Sequence, residues 1–331
     1  MNRSTLSLIL TSGLVFSASA HAEYENRSFS VFGAAGMQHI NYQESLKDWY
    51  GVDMDSKFTT VNFVQRSGGY TAVNDRIGFS IISTSTLIGF ENDEEWKLAG
   101  SDGYVQQSTT QLDFASLDIN LSYHFQNGWY ATGGMHYQKT SFSRFRWTMG
   151  TANDALNSTM RSYIESQPDM MAVVDAKVAD DTGRNADINS RDDYFNDIAN
   201  DPEANATVVY EDASNFGVMA GIAYDSYFMR QTSGPRYQFS LEAGTPIYER
   251  VLNSGVNETL DRTFGGGLDV TGKIGAGYQF GTHLSTMLLL TAHYSHRDEI
   301  VKRYNALDTT TLPENTLQAY AAYLSIGWNF D

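Results

Sequence analysis

The sequence predicts an antiparallel, up-and-down transmembrane β-barrel of about ten strands. Three observations predict it: a strictly alternating C-terminal segment, the same alternation in six further segments, and a regular exchange of tight turns with long polar connections along 331 residues. Between Thr316 and Phe330, one face carries Tyr320, Ala322, Leu324, Ile326, Trp328 and Phe330. The other carries Ala319, Ala321, Tyr323, Ser325, Gly327 and Asn329. A strand has a side-chain period of two, so these are the two faces of one strand. One face is apolar and ends in aromatics, and the other is small and polar. Hydrocarbon outside and a polar interior select that pattern.

This segment resembles the closing strand of Gram-negative outer-membrane β-barrel proteins, whose alternating apolar residues lead to a terminal Phe that forms part of the assembly signal. The resemblance assigns that role to Tyr320, Leu324, Ile326, Trp328 and Phe330. Here Phe330 is penultimate and Asp331 follows, a departure from the family's pattern. The resemblance implies residence in the outer membrane, contact with lipid and lipopolysaccharide, and handling by the outer-membrane assembly machinery.

At the N-terminus, Met1-Asn2-Arg3 is a short basic start, Leu6 to Phe16 is an apolar run, and Ala20-His21-Ala22 is a small-x-small site. This predicts a secretory leader over 1–22, cut before Glu23, with a single barrel domain over 23–331. The apolar run is too short to span a bilayer as a helix.

The strands follow in order. Ser28 to Tyr42, Phe58 to Ala72 and Arg76 to Phe90 are apolar enough to span but alternate imperfectly, and Gly68-Gly69 marks a candidate bulge. Ala115 to Phe125 sets Leu117, Ile119, Leu121, Tyr123 and Phe125 against Ser116, Asp118, Asn120, Ser122 and His124. From Trp129, the residues Ala131, Met135 and Tyr137 face outward, with Thr132, His136, Gln138 and Thr140 inward. Phe216 to Tyr224, Tyr237 to Ile247, Phe264 to Phe280 and Leu284 to Tyr294 repeat the scheme. The weaker start leaves eight or twelve strands as alternatives to ten. Val73-Asn74-Asp75, Gln126-Asn127-Gly128 and Gly281-Thr282-His283 read as tight turns. Polar segments near 43–57, 91–108, 146–207, 251–262 and 297–315 read as outer loops. Short periplasmic turns and long extracellular loops are the barrel convention.

Composition narrows the function classes. There is no cysteine, which excludes disulfides and thiol chemistry. Aromatics reach 13%, enough for girdles at both membrane interfaces. Mean hydropathy is negative, unlike that of a helical membrane protein. The full chain carries −17; removing Arg3 with the leader leaves 21 basic against 39 acidic residues, or −18. Such a chain does not bind nucleic acid through its phosphates and favours cations near its loops.

The 146–207 segment is far longer than an ordinary connection. It is acidic, and Met170, Met171, Val174 and Val178 are spaced for one helical face from Pro168 to Val178. Such a segment either folds into the mouth or lies solvated above it. Asp180-Asp181 and Asp192-Asp193 match no calcium-loop spacing, and no metal or cofactor site is expected.

The barrel family includes the omptins, ten-stranded surface proteases that use a His-Asp pair and an Asp pair at the outer rim. By resemblance, the candidates are His296 with Asp298, and Asp53 with Asp55; Glu211-Asp212 is a further rim pair. The local context matches no omptin motif, and there is no Gly-x-Ser-x-Gly elbow. Inward phase places Asp118, His136, Glu242, Asp269, Lys273 and His293 in the lumen, as a structural ion-pair network or as the lining of a narrow polar pore. The expectation is therefore a non-enzymatic, porin-like or small-barrel protein with a surface-contact, envelope or solute-passage role, small polar solutes or cations being its cargo. Omptin-like proteolysis is the alternative.

Overall fold

Backbone amides in hydrocarbon must all be paired, and strands achieve this only by closing on themselves. The computed structural model describes residues 29–125, 127–183, 188–199, 209–229, 233–254 and 258–330. The expected leader lies outside the described residues, as do 184–187 and 200–207 of the long segment. Phe29–Trp49 (β1) pairs with Val52–Ala72 (β2) on one side. On the other it pairs with Glu314–Phe330 (β14), from Phe29↔Phe330 to Ser45↔Glu314. The first and last strands thus close the sheet.

Around the circuit, Ile77–Ile88 (β3) and Glu91–Leu98 (β4) form one stave. Both β2 and Tyr104–His124 (β5) pair with each of them. Trp129–Met149 (β6), Val209–Asp225 (β7) and Gly234–Asn253 (β8) follow. Glu258–Thr263 (β9) and Gly267–Phe280 (β10) both pair with β8 and share a stave, and Leu284–Arg297 (β11) joins β10 to β14. Ile300–Arg303 (β12) and Thr309–Leu312 (β13) form a separate hairpin. Among the described residues, the main sheet has twelve segments, and two pairs of them share a stave, so the circuit they form has ten staves. That lies within the expected range of eight to twelve.

The alternation read in the sequence is the partition between lumen and outer face. On β14, Tyr323 is 2% exposed while Leu324 is 67% exposed. Outward aromatics bracket the apolar belt: Trp129 and Tyr137 lie eight residues apart on β6, and Phe330 and Tyr320 lie ten apart on β14. Ten residues at ~3.3 Å each, tilted by about 45°, rise about 23 Å, close to the height of a hydrocarbon belt.

Above the belt, several expected loops are strand. β1 and β2 run to a two-residue turn at Tyr50-Gly51, both with positive φ (49° and 77°), as a tight hairpin requires. The segment 91–108 is mostly β4 and the start of β5, 251–262 is mostly β8 and β9, and 297–315 contains β12 and β13. Gly68 and Gly69 keep regular register with both neighbours; the shift in the β2–β3 pairing falls at Phe63/Val64, where the extra residue, Leu87, is on β3. Gly68 serves close packing, since a Cβ there would lie 2.5 Å from Ile81 O and 3.0 Å from Phe32 Cε1.

The long segment folds as helices Asn153–Ser166 (α1), Pro168–Gly183 (α2) and Arg191–Ala199 (α3). Proline suits the first position of α2, where its missing N–H costs nothing. α3 opens on a cap in which Ser190 Oγ accepts from Asp193 N at 3.1 Å and donates to Asp193 Oδ2 at 2.8 Å. Leu156 of α1 packs with Val52, Met54, Trp96 and Val105, on the inner faces of β2, β4 and β5. Val174, Tyr194 and Phe195 pack with Leu307 between β12 and β13, and Tyr50 OH donates to Leu307 O. Lys177 Nζ lies 3.1 Å from Asp308 Oδ1. The helices therefore bridge the barrel mouth from one rim to the other.

Candidate functional site

Polar residues of the lumen occur where alternation turns them inward, and each must find a partner there or remain wet. Nearest the periplasmic end is a chamber of about 190 Å³, lined in part by Phe32, Tyr130, Arg66, Asp225, Arg236 and Lys273. Arg236 grips Asp225 through two bonds, Nε–Oδ1 at 3.1 Å and Nη2–Oδ2 at 2.6 Å. Lys273 Nζ lies 2.8 Å from Glu242 Oε2, and Thr132 Oγ1 donates to Glu242 Oε1 at 3.2 Å. Phe228, in the turn after β7, makes ring contacts with Tyr70, His124 and Tyr130 at this end.

The next tier is a smaller cavity of about 40 Å³ lined by Asp118, His136, Thr271 and His293. His136 Nδ1–H donates to Asp118 Oδ1 at 2.6 Å. His293 Nε2 lies 3.2 Å from Gln138 Oε1, and its Nδ1 lies 2.9 Å from Thr271 Oγ1. Gln138 thus sits between two imidazoles. Its oxygen is 3.5 Å from His136 Nε2, which is long for a hydrogen bond, and that nitrogen can donate only when the ring carries both protons. Asp269 accepts from Arg297 Nη2 at 2.9 and 3.0 Å, both residues being fully enclosed. Asp118, His136, Glu242, Asp269, Lys273 and His293 all face inward, joined in four separate groups.

Higher still, the lumen carries an apolar cluster on one side. Ile40, Tyr42, Phe58, Leu112, Phe142 and Leu317 form one buried cluster across β1, β2, β5, β6 and β14. Tyr42 and Phe142 have ring centroids 4.6 Å apart. Directly above, outside the apolar belt, Arg144 Nε and Nη2 grip Glu94 at 2.7 and 3.0 Å, and Nη2 also reaches Glu44 at 2.8 Å. Tyr42 OH donates to Glu44, Ser56 Oγ donates to Glu94, and Asn253 Nδ2 donates to Glu211. One guanidinium thus serves a layer of three buried acids. Burial, offset in part by Arg144 and reinforced by Glu211 and Glu94, pushes the Glu44 carboxyl up to about 7. Burial likewise raises Glu211.

The rim candidates are not assembled. His296 Nε2 lies 3.2 Å from Asp298 Oδ1, but His296 is on the outward face of β11, beside Thr316. Asp53 and Asp55 lie outward on β2, where Asp55 accepts from Ser45. In sheet order, β14 and β1 intervene between the two pairs. Glu211 is buried in the neck layer, whereas Asp212 faces outward to Ser141 and Lys139. Among the described residues, no group of three His, Cys, Asp or Glu side chains is placed to hold a metal ion. Tyr320, Leu324, Ile326, Trp328 and Phe330 lie on the lipid face of the closing strand, all between 45% and 67% exposed.

Sequence reasoning missed Arg66, Glu44, Glu94 and Arg144. Extending the inward phase of the first and fifth expected strands past Tyr42 and Thr140 reaches Glu44 and Arg144, so a signal existed.

No family model and no curated protein matches the sequence. Among solved structures, outer membrane protease OmpT from Escherichia coli is similar over 94% of this chain and 99% of its own, at 8% identity and a TM-score of 0.52. The transport unit of the autotransporter AIDA-I from Escherichia coli aligns over 99% of this chain and 98% of its own, at 10% identity and a TM-score of 0.33. The outer membrane protein OprG from Pseudomonas aeruginosa aligns over 93% and 97%, at 9% identity and a TM-score of 0.30. The first likeness identifies the fold as that of the Gram-negative outer-membrane β-barrels. At 8% identity it carries no chemistry.

Proposed function

We propose that this protein is a closed, capped barrel of the Gram-negative outer membrane whose work is done at the cell surface rather than through its lumen. The observation that carries the reading is the neck. We read the buried aromatic cluster centred on Tyr42 and Phe142, above both lumen cavities, as a plug, and the Arg144 layer above it as its seal. A conducting pore needs a continuous wet path, and a packed apolar section resists wetting. The second support is the cap. Its helices are packed onto the rim rather than left as loose loops, and α1 to α3 carry an excess of acidic side chains. That arrangement presents a rigid, anionic surface to basic partners outside the cell. No observation favours the protease reading, because its four candidate groups are divided by two strands.

The test has two arms. Refolded protein in planar bilayers gives no stable conductance steps; cation-selective steps would refute the closed-barrel reading. Replacing 150–208 by a short turn leaves the heat-dependent mobility shift of a folded barrel intact and abolishes cell attachment to cationic surfaces. Unchanged attachment would refute the surface role.

A further inference from the structure

Charges buried in a small barrel are expected to be matched. Arg66, on β2, is only 7% exposed and lines both lumen cavities. Its Nη1 donates to Thr84 Oγ1 at 3.2 Å, and its Nε is buried with no hydrogen-bond partner. Among the described residues, no carboxylate lies within 4.0 Å of its guanidinium. The other charges on the larger chamber cancel, because Arg236 pairs with Asp225 and Lys273 with Glu242. Asp118, in the adjoining cavity that Arg66 also lines, is hydrogen-bonded by His136 and lies near enough for its charge to act on Arg66, but it makes no direct ion pair with that guanidinium. Among the groups that line the larger chamber itself, the balance is one positive charge, in a chain whose net charge is −17.

A buried guanidinium with free donors is a costly element unless something supplies acceptors. The chamber has room for it. At roughly 15 Å³ of such space per water, its 190 Å³ holds on the order of a dozen waters. The wall also offers apolar surface from Phe32, Met287 and Leu289, and Ser240 Oγ is buried there without a partner. A planar guanidinium recognises a planar carboxylate through two parallel N–H bonds.

We propose that the chamber binds a small organic monocarboxylate, with its carboxylate on Arg66 and its apolar body against Phe32, Met287 and Leu289. The ligand enters from the periplasmic end, past the ring of Phe228, because the neck closes the other end. This site is independent of the surface role.

The test uses the full chain refolded in detergent and equilibrium dialysis against labelled sodium benzoate. Wild-type protein should bind at a single saturable site. Arg66→Gln should weaken binding about ten-fold or more, an amount that corresponds to the loss of about 1.4 kcal/mol. Arg66→Lys, which keeps the charge but not the fork, should fall between. Leu289→Trp, which fills the chamber, should abolish binding with Arg66 in place. The heat-dependent mobility shift checks that each variant is folded. Benzyl alcohol, chloride and inorganic phosphate should compete far less well than unlabelled benzoate. No saturable binding by wild type, undiminished binding by Arg66→Gln, or equal competition by benzyl alcohol or phosphate would overturn the assignment.

Discussion

Arg144 on β6 reaches across β5 to hold Glu94 on β4 with two bonds, from Nε at 2.7 Å and from Nη2 at 3.0 Å. Both side chains are almost wholly buried, at 6% and 0% exposed. The geometry is the fork-to-carboxylate pairing that gives direction as well as strength. It also leaves the layer dependent on one cation, since Glu44 and Glu211 lie near the same guanidinium. Arg144→Met therefore strands buried carboxylates and should lower the stability of the upper barrel by about 3–5 kcal/mol. Replacing Arg144, Glu44 and Glu94 together by Met, Leu and Leu should recover part of that loss, Glu211 remaining without its cation. Urea unfolding of the single and triple variants, followed by tryptophan fluorescence, reads both values. A triple variant no more stable than Arg144→Met would contradict the ion-pair account.

The same layer sets a pH dependence. The folded-state Glu44 carboxyl titrates near 7, well above an exposed glutamate, chiefly because it is buried. Between the unfolded and folded values the native state holds the extra proton, so stability falls as pH rises through that window. The contribution is complete below the unfolded value and gone above the folded one. The urea midpoint for the neck should thus be higher at about pH 5 than at about pH 8, and Glu44→Gln should flatten the profile. Trp96, 8% exposed beneath the cap, is the natural reporter. A midpoint that rises over this interval would reverse the assigned sign.

If the plug is what closes the lumen, thinning it should open a path. Tyr42 and Phe142 face each other in the cluster, and Phe58 packs edge-on to Phe142, with centroids 6.1 Å apart. Truncating Tyr42 and Phe142 together to Ala should produce small conductance steps in planar bilayers where wild type is silent. Each truncation should also cost about 3–5 kcal/mol, the ordinary penalty for removing a large buried ring. A folded double variant that stays silent would show that Arg144 and its acids suffice as the seal.

What was legible in the sequence follows from where lipid touches the chain. Across the belt, hydrocarbon imposes apolar residues on every second position, so the segments 115–125, 129–140, 216–224, 237–247, 264–280, 284–294 and 316–330 declare themselves. Above the belt both faces of a strand meet water or polar partners, and the two-residue signal fades while the pairing continues. β4 reads Glu-Asn-Asp-Glu-Glu-Trp-Lys-Leu, which looks like an acidic loop, yet Glu94 and Trp96 are its buried face. Glu44, Ser56 and Arg144 were obscured in the same way. The α2 helix was legible because Met171 and Val174 recur at helical spacing; α1 carries the same signal in Leu156, Met160 and Ile164 and was overlooked inside an acidic segment, while α3 carries few apolar positions. Arg66 shows the other limit. Its inward phase is readable, but its lack of a carboxylate partner is a property of the closed circuit, which no local pattern contains.

The lipid-facing stripe itself gives the last prediction. Leu324 on β14 is 67% exposed and is flanked by Ala35 on β1 and Leu288 on β11, midway between the aromatics at either end of its strand. Val301, on the β12 hairpin, is 44% exposed but stands above the belt. Both are exposed aliphatic side chains on strands, so they differ chiefly in the solvent they meet. An arginine at the bilayer midplane costs about 2–4 kcal/mol in a barrel, falling to about 0–1 near the interfaces. Leu324→Arg should therefore destabilise the barrel by about 2–4 kcal/mol in lipid vesicles, and Val301→Arg should change it by less than about 1. In detergent micelles, which deform around a charge more readily, the gap should narrow. Equal costs for the two substitutions in vesicles would mean that the stripe around Leu324 does not face hydrocarbon.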